Sequence, residues 1–177
     1  TLRRNRIYES VFGPVDYSFN RGQVHFVSMN DVCFETFGYP GKYHGDFSDA
    51  QVEWLRQDLS HVAKDRLVIL CVHIPFEGIW KKTPNVGKVM EMLAAYPNAR
   101  IMSGHTHTIK HLNHGNGVTE FVAGAMSGCW WWSKNCADGS PNGYAVCRIE
   151  GNAIVDEFYK AQNFSEKYQM RIYRGDA

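Results

Sequence analysis

The sequence has no marked excess of charge of either sign. Its 177 residues include 19 Lys and Arg and 18 Asp and Glu, so the formal net charge is +1. This balance gives no case for a polyanion-binding surface, and we expect no nucleic-acid partner. The sequence also lacks an apolar run near the ~20 residues that span a bilayer, so we expect no membrane span. Its length suits one domain, or one domain with a small appendage.

The sequence also lacks the usual features of a protein start. Residues 1–6 contain no initiator Met and no apolar core of a signal peptide. We therefore expect the sequence to begin inside a longer protein.

Cysteine is sparse, with five residues in the chain. Cys71 lies in a predicted core strand, and Cys33 and Cys147 lie in apolar strand-like runs, so we predict buried thiols at these three positions. Cys129 and Cys136 flank a predicted loop and would pair only in an oxidising compartment, which the sequence leaves open.

Hydrophobic periodicity predicts strands and helices in alternation. The predicted β-structure consists of a hairpin (16–19 and 24–29, turn 20–22), a second hairpin (111–114 and 118–122) and β-rich stretches at 144–149, 153–159 and 169–173. Residues 33–46 have no period and predict a loop. One helix opens with a capping box at Ser48 and Gln51, and a second is expected to begin with Asn85 as its cap. Their predicted core faces are Val52, Leu55, Leu59 and Val62 on the first, and Val86, Val89, Met90 and Leu93 on the second.

Two histidine motifs stand at the ends of predicted buried strands. The apolar run 67–72 leads into His73, and Pro75 ends that strand. Residues 99–103 lead into Gly104, then His105 and His107. In extended backbone, residues i and i+2 point to the same face, so these two imidazoles are expected to converge on one site.

A His-x-His pair alone is a weak signal, and a single His after a strand is more often a hydrogen-bonded structural residue. Two such sites after core strands favour a metal centre. Neutral imidazole suits Zn, Fe, Mn and Ni, so the residues do not select the ion.

This series of motifs resembles the second half of the calcineurin-like metallophosphoesterases, which include purple acid phosphatases and many bacterial phosphodiesterases. The resemblance runs from about residue 12 to residue 124. It rests on residues 13–19, 24–28 and 51–55, followed by the His-x-Pro and Gly-His-Thr-His motifs. The implied fold is α/β (α+β): residues 1–128 would form the second half of a four-layer α/β/β/α sandwich, and 129–177 a linker and the start of a small β-rich domain.

The resemblance implies a hydrolase that acts on a phosphate mono- or diester and uses two divalent metal ions, Mn, Fe or Zn. His73 and His105 would bind one ion and His107 the other. The family's other ligands, in Asp-x-His, Gly-Asp-x-x-Asp and Gly-Asn-His motifs, belong to its first half, as does the general-acid His. We therefore expect the N-terminal half of the same protein as a partner, no catalytic acid in this sequence, and no turnover by this sequence alone. The bacterial relatives favour a periplasmic or cell-surface location.

Two other stretches imitate the family's first-half motifs. Asp46 and Asp49 match Gly-Asp-x-x-Asp but follow a turn-rich loop and merge into the helix cap. Asn113 and His114 match part of Gly-Asn-His but lie in a hairpin. We reject both, and we expect His111 and His114 to be surface residues.

Three adjacent tryptophans, Trp130, Trp131 and Trp132, follow residues 124–129. Their side chains cannot all face inward, since successive residues of a strand alternate. One or two would pack under a hairpin, or at least one would line the substrate cleft. With Gly104, we select Trp130 and Trp131 as candidate substrate-binding residues.

Two alternatives remain open. The chain could be a non-catalytic binding module whose Trp cluster grips a sugar or peptide, with structural histidines. It could also be a hydrolase of the amidohydrolase type built on His-x-His, although the order of the two motifs disfavours this.

Overall fold

The computed structural model describes residues 5–35, 42–79 and 81–162. In this part of the chain the elements are α1 (Arg6–Phe12), β1 (Tyr17–Arg21), β2 (Val24–Ser28), β3 (Val32–Phe34), β4 (Tyr43–Gly45), α2 (Asp49–Ser60), β5 (Leu67–Cys71), α3 (Pro84–Ala94), β6 (Arg100–Ser103), β7 (Lys110–Asn113), β8 (Thr119–Val122), β9 (Gly143–Glu150) and β10 (Ala153–Ala161). The predicted strand at 169–173 lies outside the described residues.

A six-stranded sheet in the order β1-β2-β5-β6-β8-β7 forms the centre of the fold. Strands β2, β5, β6 and β8 are parallel, and β1 and β7 join the two edges in antiparallel pairs. Two further antiparallel pairs, β3–β4 and β9–β10, form separate small sheets. The predicted α/β class is confirmed.

The two faces of the central sheet have different covers. Helices α2 and α3 pack on one face, where Leu55, Leu70, Leu93 and Ile101 are fully buried in one large apolar cluster. On the other face, Ile149 and Ile154 of the β9–β10 hairpin pack against a smaller cluster of Val24, Leu67 and Ile69. Apolar burial on both faces of β5 explains its uninterrupted Leu-Val-Ile-Leu sequence. The boundary at residues 128 and 129 stays a prediction.

The helix signals were read correctly at α2 and wrongly at the start of α3. Ser48 caps α2 in a reciprocal capping box with Gln51, as predicted. Helix α3 instead begins after Thr83, with Pro84 in its first turn and Asn85 already inside it. Proline is favoured in the first turn because its missing N–H would have no helical partner there, and the helix starts two residues before the expected position. All eight predicted core-face residues of the two helices are buried.

The other differences are local. The first hairpin turns at Gly22 and Gln23, because β1 continues to Arg21 and Gly22 adopts a φ of 58°. The predicted loop at 33–46 contains the short β3–β4 pair, and α1 was not predicted. No helix in the described part of the chain is long and apolar enough to cross a membrane.

The cysteine predictions were partly wrong. All five thiols are free, so Cys129 and Cys136 form no disulfide here. Cys136 is the buried one, whereas Cys33, Cys71 and Cys147 are only half-buried. Cys136 lies in the loop that follows β8, and its thiol is covered by contacts with Ala125 and Tyr159 that strand patterning does not reveal.

Candidate metal centre

The two histidine motifs meet at one edge of the sheet. Strands β5 and β6 are parallel neighbours, so the chain leaves both of them on the same side. His73 comes two residues after the end of β5, and the Gly104–His105 pair follows directly after β6. Crevices at the carboxyl ends of parallel strands are the usual ligand sites of open α/β sheets.

His73 and His105 are in direct contact. Nε2 of His73 lies 3.0 Å from Nδ1 of His105, and their ring centroids are 4.8 Å apart. The backbone joins the two loops as well, because the Gly104 N–H donates to the His73 carbonyl at 3.2 Å. Burial and the charge of neighbouring histidines lower the pKa of both His73 and His105. Both rings therefore favour the neutral form, in which one of the two ring nitrogens carries a lone pair.

His107 is oriented by the loop that connects β8 to β9. Its Nδ1 lies 2.6 Å from the Gly128 carbonyl oxygen, and its own carbonyl accepts the Ala137 N–H at 2.7 Å. A carbonyl oxygen only accepts, so Nδ1 carries the proton and Nε2 keeps the lone pair. A carbonyl that fixes the tautomer in this way is typical of ligating histidines. The charge of His107 also contributes to the lowered pKa of His73 and His105.

Backbone strain is concentrated at this edge. Five non-glycine residues in the described ranges have a positive φ, and four of them are His105, His107, Trp130 and Trp131, at 52° to 67°. The fifth, Asn116, lies in a hairpin turn, where asparagine is common. Left-handed backbone is costly for bulky residues, and it persists at functional sites where the surrounding structure enforces it.

Asp31 is a buried acid that sequence reasoning missed. It follows β2 at the same edge, and its side chain accepts the His73 N–H through Oδ1 and the Ile74 N–H through Oδ2, both at 2.9 Å. Burial raises the pKa of Asp31 to about 6, although these backbone N–H groups favour the charged form. The available signal was an acid three residues after the end of a core strand.

Glu120 is the second missed acid, and it is fully buried within β8. Its Oε1 accepts the Phe76 N–H at 3.2 Å and the Ser103 hydroxyl at 2.5 Å, and its Oε2 lies 2.7 Å from Nε2 of His114. Ser103 immediately precedes Gly104, and Phe76 follows the His73 motif. The Glu120 carboxylate is therefore hydrogen-bonded to both segments that carry the histidines. A charged residue inside an apolar strand was the available signal.

The two histidines of the second hairpin were predicted to be surface residues, and this is right for one of them. The side chain of His111 is mostly exposed, as expected. The side chain of His114 is only 5% exposed, so its assignment to the surface was wrong. Glu120 lies on the strand that faces His114 across the hairpin, and the buried carboxylate holds the imidazole inside.

All three tryptophans are exposed, at 68% for Trp130, 80% for Trp131 and 93% for Trp132. None of them packs under a hairpin. The Trp130 ring lies beside the His107 ring, with centroids 5.0 Å apart and planes tilted by 31°. Gly104 leaves open space, since a Cβ there would meet only the Ala123 carbonyl at 3.9 Å. The substrate-binding assignment of Gly104, Trp130 and Trp131 stays a prediction.

The residues that imitate first-half motifs have local roles. Asp46 accepts its neighbour's N–H, from Phe47, at 2.8 Å. Asp49 lies in the first turn of α2, where Asn85 donates to it at 3.1 Å. Within the described ranges, no three His, Cys, Asp or Glu side chains are grouped so that they could hold a metal ion. The metal assignment of His73, His105 and His107 stays a prediction.

Comparison with known proteins agrees with this fold. The family described as "C terminal of Calcineurin-like phosphoesterase" matches residues 120–177. Tartrate-resistant acid phosphatase type 5 of Rattus norvegicus is 32% identical over 78 residues, which are 42% of this chain and 24% of that protein. A dimetal phosphatase from Danio rerio has a similar fold, with a TM-score of 0.53 and 14% identity over 86% of this chain and 61% of its own.

The chain is similar to the calcineurin-like phosphoesterases, and the match to that family's C-terminal model covers residues 120–177. It spans about a quarter of the rat phosphatase and about three fifths of the fish structure.

Proposed function

We propose that this chain forms part of a metal-dependent phosphoesterase, a hydrolase of phosphate mono- or diesters. His73, His105 and His107 would be its contribution to the metal centre. The observation that carries the proposal is the 3.0 Å approach of the His73 and His105 ring nitrogens at the carboxyl edge of the sheet. The lowered pKa of both rings supports it, because a metal ligand must be deprotonated.

The metal centre would take two divalent ions, Mn, Fe or Zn. When bound, such ions polarise phosphoryl oxygens and make an attacking water more acidic. The residues of this chain would hold the ions and orient the rings: the Gly128 carbonyl keeps the proton of His107 on Nδ1, so that Nε2 keeps a lone pair for the ion. Neutral imidazoles cannot offset the charge of two dications. We therefore propose that carboxylates from an N-terminal half of the same protein complete the site.

The substrate would approach past Gly104 and two rings, Trp130 and Trp131, of the Trp cluster, which is defined as Trp130, Trp131 and Trp132. Gly104 lets a phosphoryl group come close to the backbone. Trp130 presents an exposed ring next to His107, and Trp131 extends this apolar surface. Ligand sites commonly combine such apolar walls with a few polar groups.

The binding-module alternative has one observation in its favour, which is the exposure of the whole Trp cluster. The two functions differ in what they require of the histidines. A phosphoesterase loses turnover when a metal ligand is removed. A binding module keeps its ligand affinity when His73 is changed, and loses it when the Trp cluster is changed.

The deciding experiment uses the complete protein that contains this chain. We expect His73→Ala and His107→Ala each to abolish hydrolysis of a chromogenic phosphodiester in the presence of Mn²⁺. The melting temperature of the metal-free protein should barely change, because neither ring fills a core cavity. His61→Ala, at the end of α2, is the matched control and should keep full activity.

Comparable turnover in either site variant would refute the assignment. Residues 1–177 tested alone with Mn²⁺, Fe²⁺ or Zn²⁺ should be inactive. Robust metal-dependent turnover by this chain alone would mean that its own carboxylates, Asp46 and Asp49 included, complete the site.

A further inference from the structure

Asp31 holds the backbone of His73 in an unusual way. Its two carboxylate oxygens accept the N–H groups of two successive residues, His73 and Ile74, at 2.9 Å each. Because both N–H groups are held in direction, the peptide plane between His73 and Ile74 is fixed. The Cα–Cβ bond of His73, from which the imidazole extends, therefore also has a fixed direction.

The setting of Asp31 makes a purely stabilising role costly. The residue is 1% exposed. None of the ion pairs found among the described residues includes Asp31. An ionised carboxylate removed from water without a cation costs several kcal/mol, which hydrogen bonds only partly offset.

The two backbone N–H donors explain why a carboxylate is required at position 31. Both backbone groups donate, so both side-chain atoms that meet them must accept. Asparagine offers one acceptor oxygen and an NH₂ group that would oppose the second N–H. Only a carboxylate satisfies both donors in this position.

We infer that Asp31 is a positioning residue, which sets the direction of His73 so that its ring meets His105. This rests on the proposed function, in which His73 binds metal. The link runs from Asp31 through the His73 and Ile74 backbone to the imidazole, and Asp31 itself touches neither the ion nor the substrate. The 3.2 Å bond from Gly104 N–H to the His73 carbonyl then joins the positioned loop to the second motif.

The test measures the affinity for Mn²⁺ directly, by calorimetric titration of the complete protein with MnCl₂. We expect Asp31→Asn to weaken Mn²⁺ binding about 10–100-fold, the usual range when a group that orients a ligand is removed. Asp31→Glu retains the charge but displaces it by one methylene, and we expect it to weaken binding too. If Asp31→Asn does not fold, Asp31→Glu still allows the Mn²⁺ affinity to be measured.

The matched control is Asp58→Asn. Asp58 is another poorly exposed carboxylate, on α2, and it binds His25 at 2.7 Å and Ser18 at 2.6 Å on the helix-covered side of the sheet. We expect this variant to lower the melting temperature and leave Mn²⁺ affinity unchanged. A structural role for Asp31 would give the same pattern, a lower melting temperature with wild-type Mn²⁺ affinity, and would overturn the inference. A wild-type protein that binds no Mn²⁺ would overturn the proposed function, and this inference with it.

Discussion

Two loops at the same edge of the sheet are held in opposite ways. The His73 loop, residues 72–76, is anchored by the buried carboxylates of Asp31 and Glu120 and ends in the fully buried Phe76. The Trp loop, residues 124–143, is held mainly by its own backbone hydrogen bonds and exposes its three tryptophans. The first loop fixes one imidazole in space, whereas the second presents aromatic surface.

The comparison shows that one loop of the candidate site is rigidly held, whereas the other exposes its side chains. Under the proposed function, His73 must be held to within about 0.5 Å as a metal ligand, which calls for packing and buried hydrogen bonds. A ring that is proposed to face the substrate gains from being open on one side. The Trp130 ring contacts the His107 ring, and the two requirements meet at this contact between the Trp loop and the histidines.

The largest expected effect breaks the anchor of the His73 loop. Phe76 is fully buried and packs edge-to-face on Phe47, with centroids 6.0 Å apart. We expect Phe76→Ala to lower the free energy of unfolding by about 3–5 kcal/mol, because the truncation leaves a cavity in the core. Urea denaturation of the complete protein measures it.

The matched truncation in the Trp loop is Trp132→Ala, at the most exposed of the three rings. It should change the free energy of unfolding by less than about 0.5 kcal/mol, as expected of an exposed surface position. Equal losses from the two variants would show that the two loops are not held differently.

A smaller effect tests how the Trp loop orients His107. Gly128 has a φ of 56°, and a Cβ there would lie 2.2 Å from the Ser133 carbonyl oxygen. Gly128→Ala must therefore shift the loop and move the carbonyl that His107 Nδ1 contacts. We expect Mn²⁺ affinity to fall about 10-fold, at the lower end of the range for removing a group that orients a ligand.

Gly139→Ala is the control in the same loop. Its φ of 84° is also positive, yet nothing lies within 4 Å of the added Cβ, and it does not contact His107. It should leave Mn²⁺ affinity unchanged and lower the free energy of unfolding by about 1–2 kcal/mol, the cost of left-handed backbone for a residue with a Cβ. If both glycine variants lower the affinity alike, backbone strain in the loop explains the effect, and the Gly128 carbonyl has no special role.

The parts of this architecture that depend on local chemistry could be predicted from the sequence. The capping box at Ser48 is complete within four residues. The apolar run of β5 and the placement of His73 and His105 after two strands follow from patterns of five to eight residues. Parallel strands then bring both motifs to one edge, whatever the rest of the chain does.

The parts that depend on distant partners could not be predicted. Asp31 and His73 are 42 residues apart and meet because β2 and β5 are neighbours. His114 is buried because Glu120 faces it from the next strand, and an isolated His in a hairpin gives no sign of that. The exposure of the Trp cluster likewise follows from left-handed backbone at Trp130 and Trp131, which alternation along a strand does not anticipate.

The smallest expected effect concerns the contact between the two loops. Trp130 lies next to His107 with most of its ring exposed, so a flat leaving group can stack on it. We expect Trp130→Ala to raise KM for an aryl phosphodiester about 2–10-fold, which corresponds to the ~0.5–1.5 kcal/mol of one aromatic pair. The value of kcat should stay within about twofold, because the ring does not hold the metal ligands in place.

Trp132→Ala removes an equally large ring without a contact to His107 and should leave both constants unchanged. A loss of kcat in Trp130→Ala would instead mean that the ring supports His107, and equal rises of KM in the two variants would mean that the Trp cluster acts only as general apolar surface.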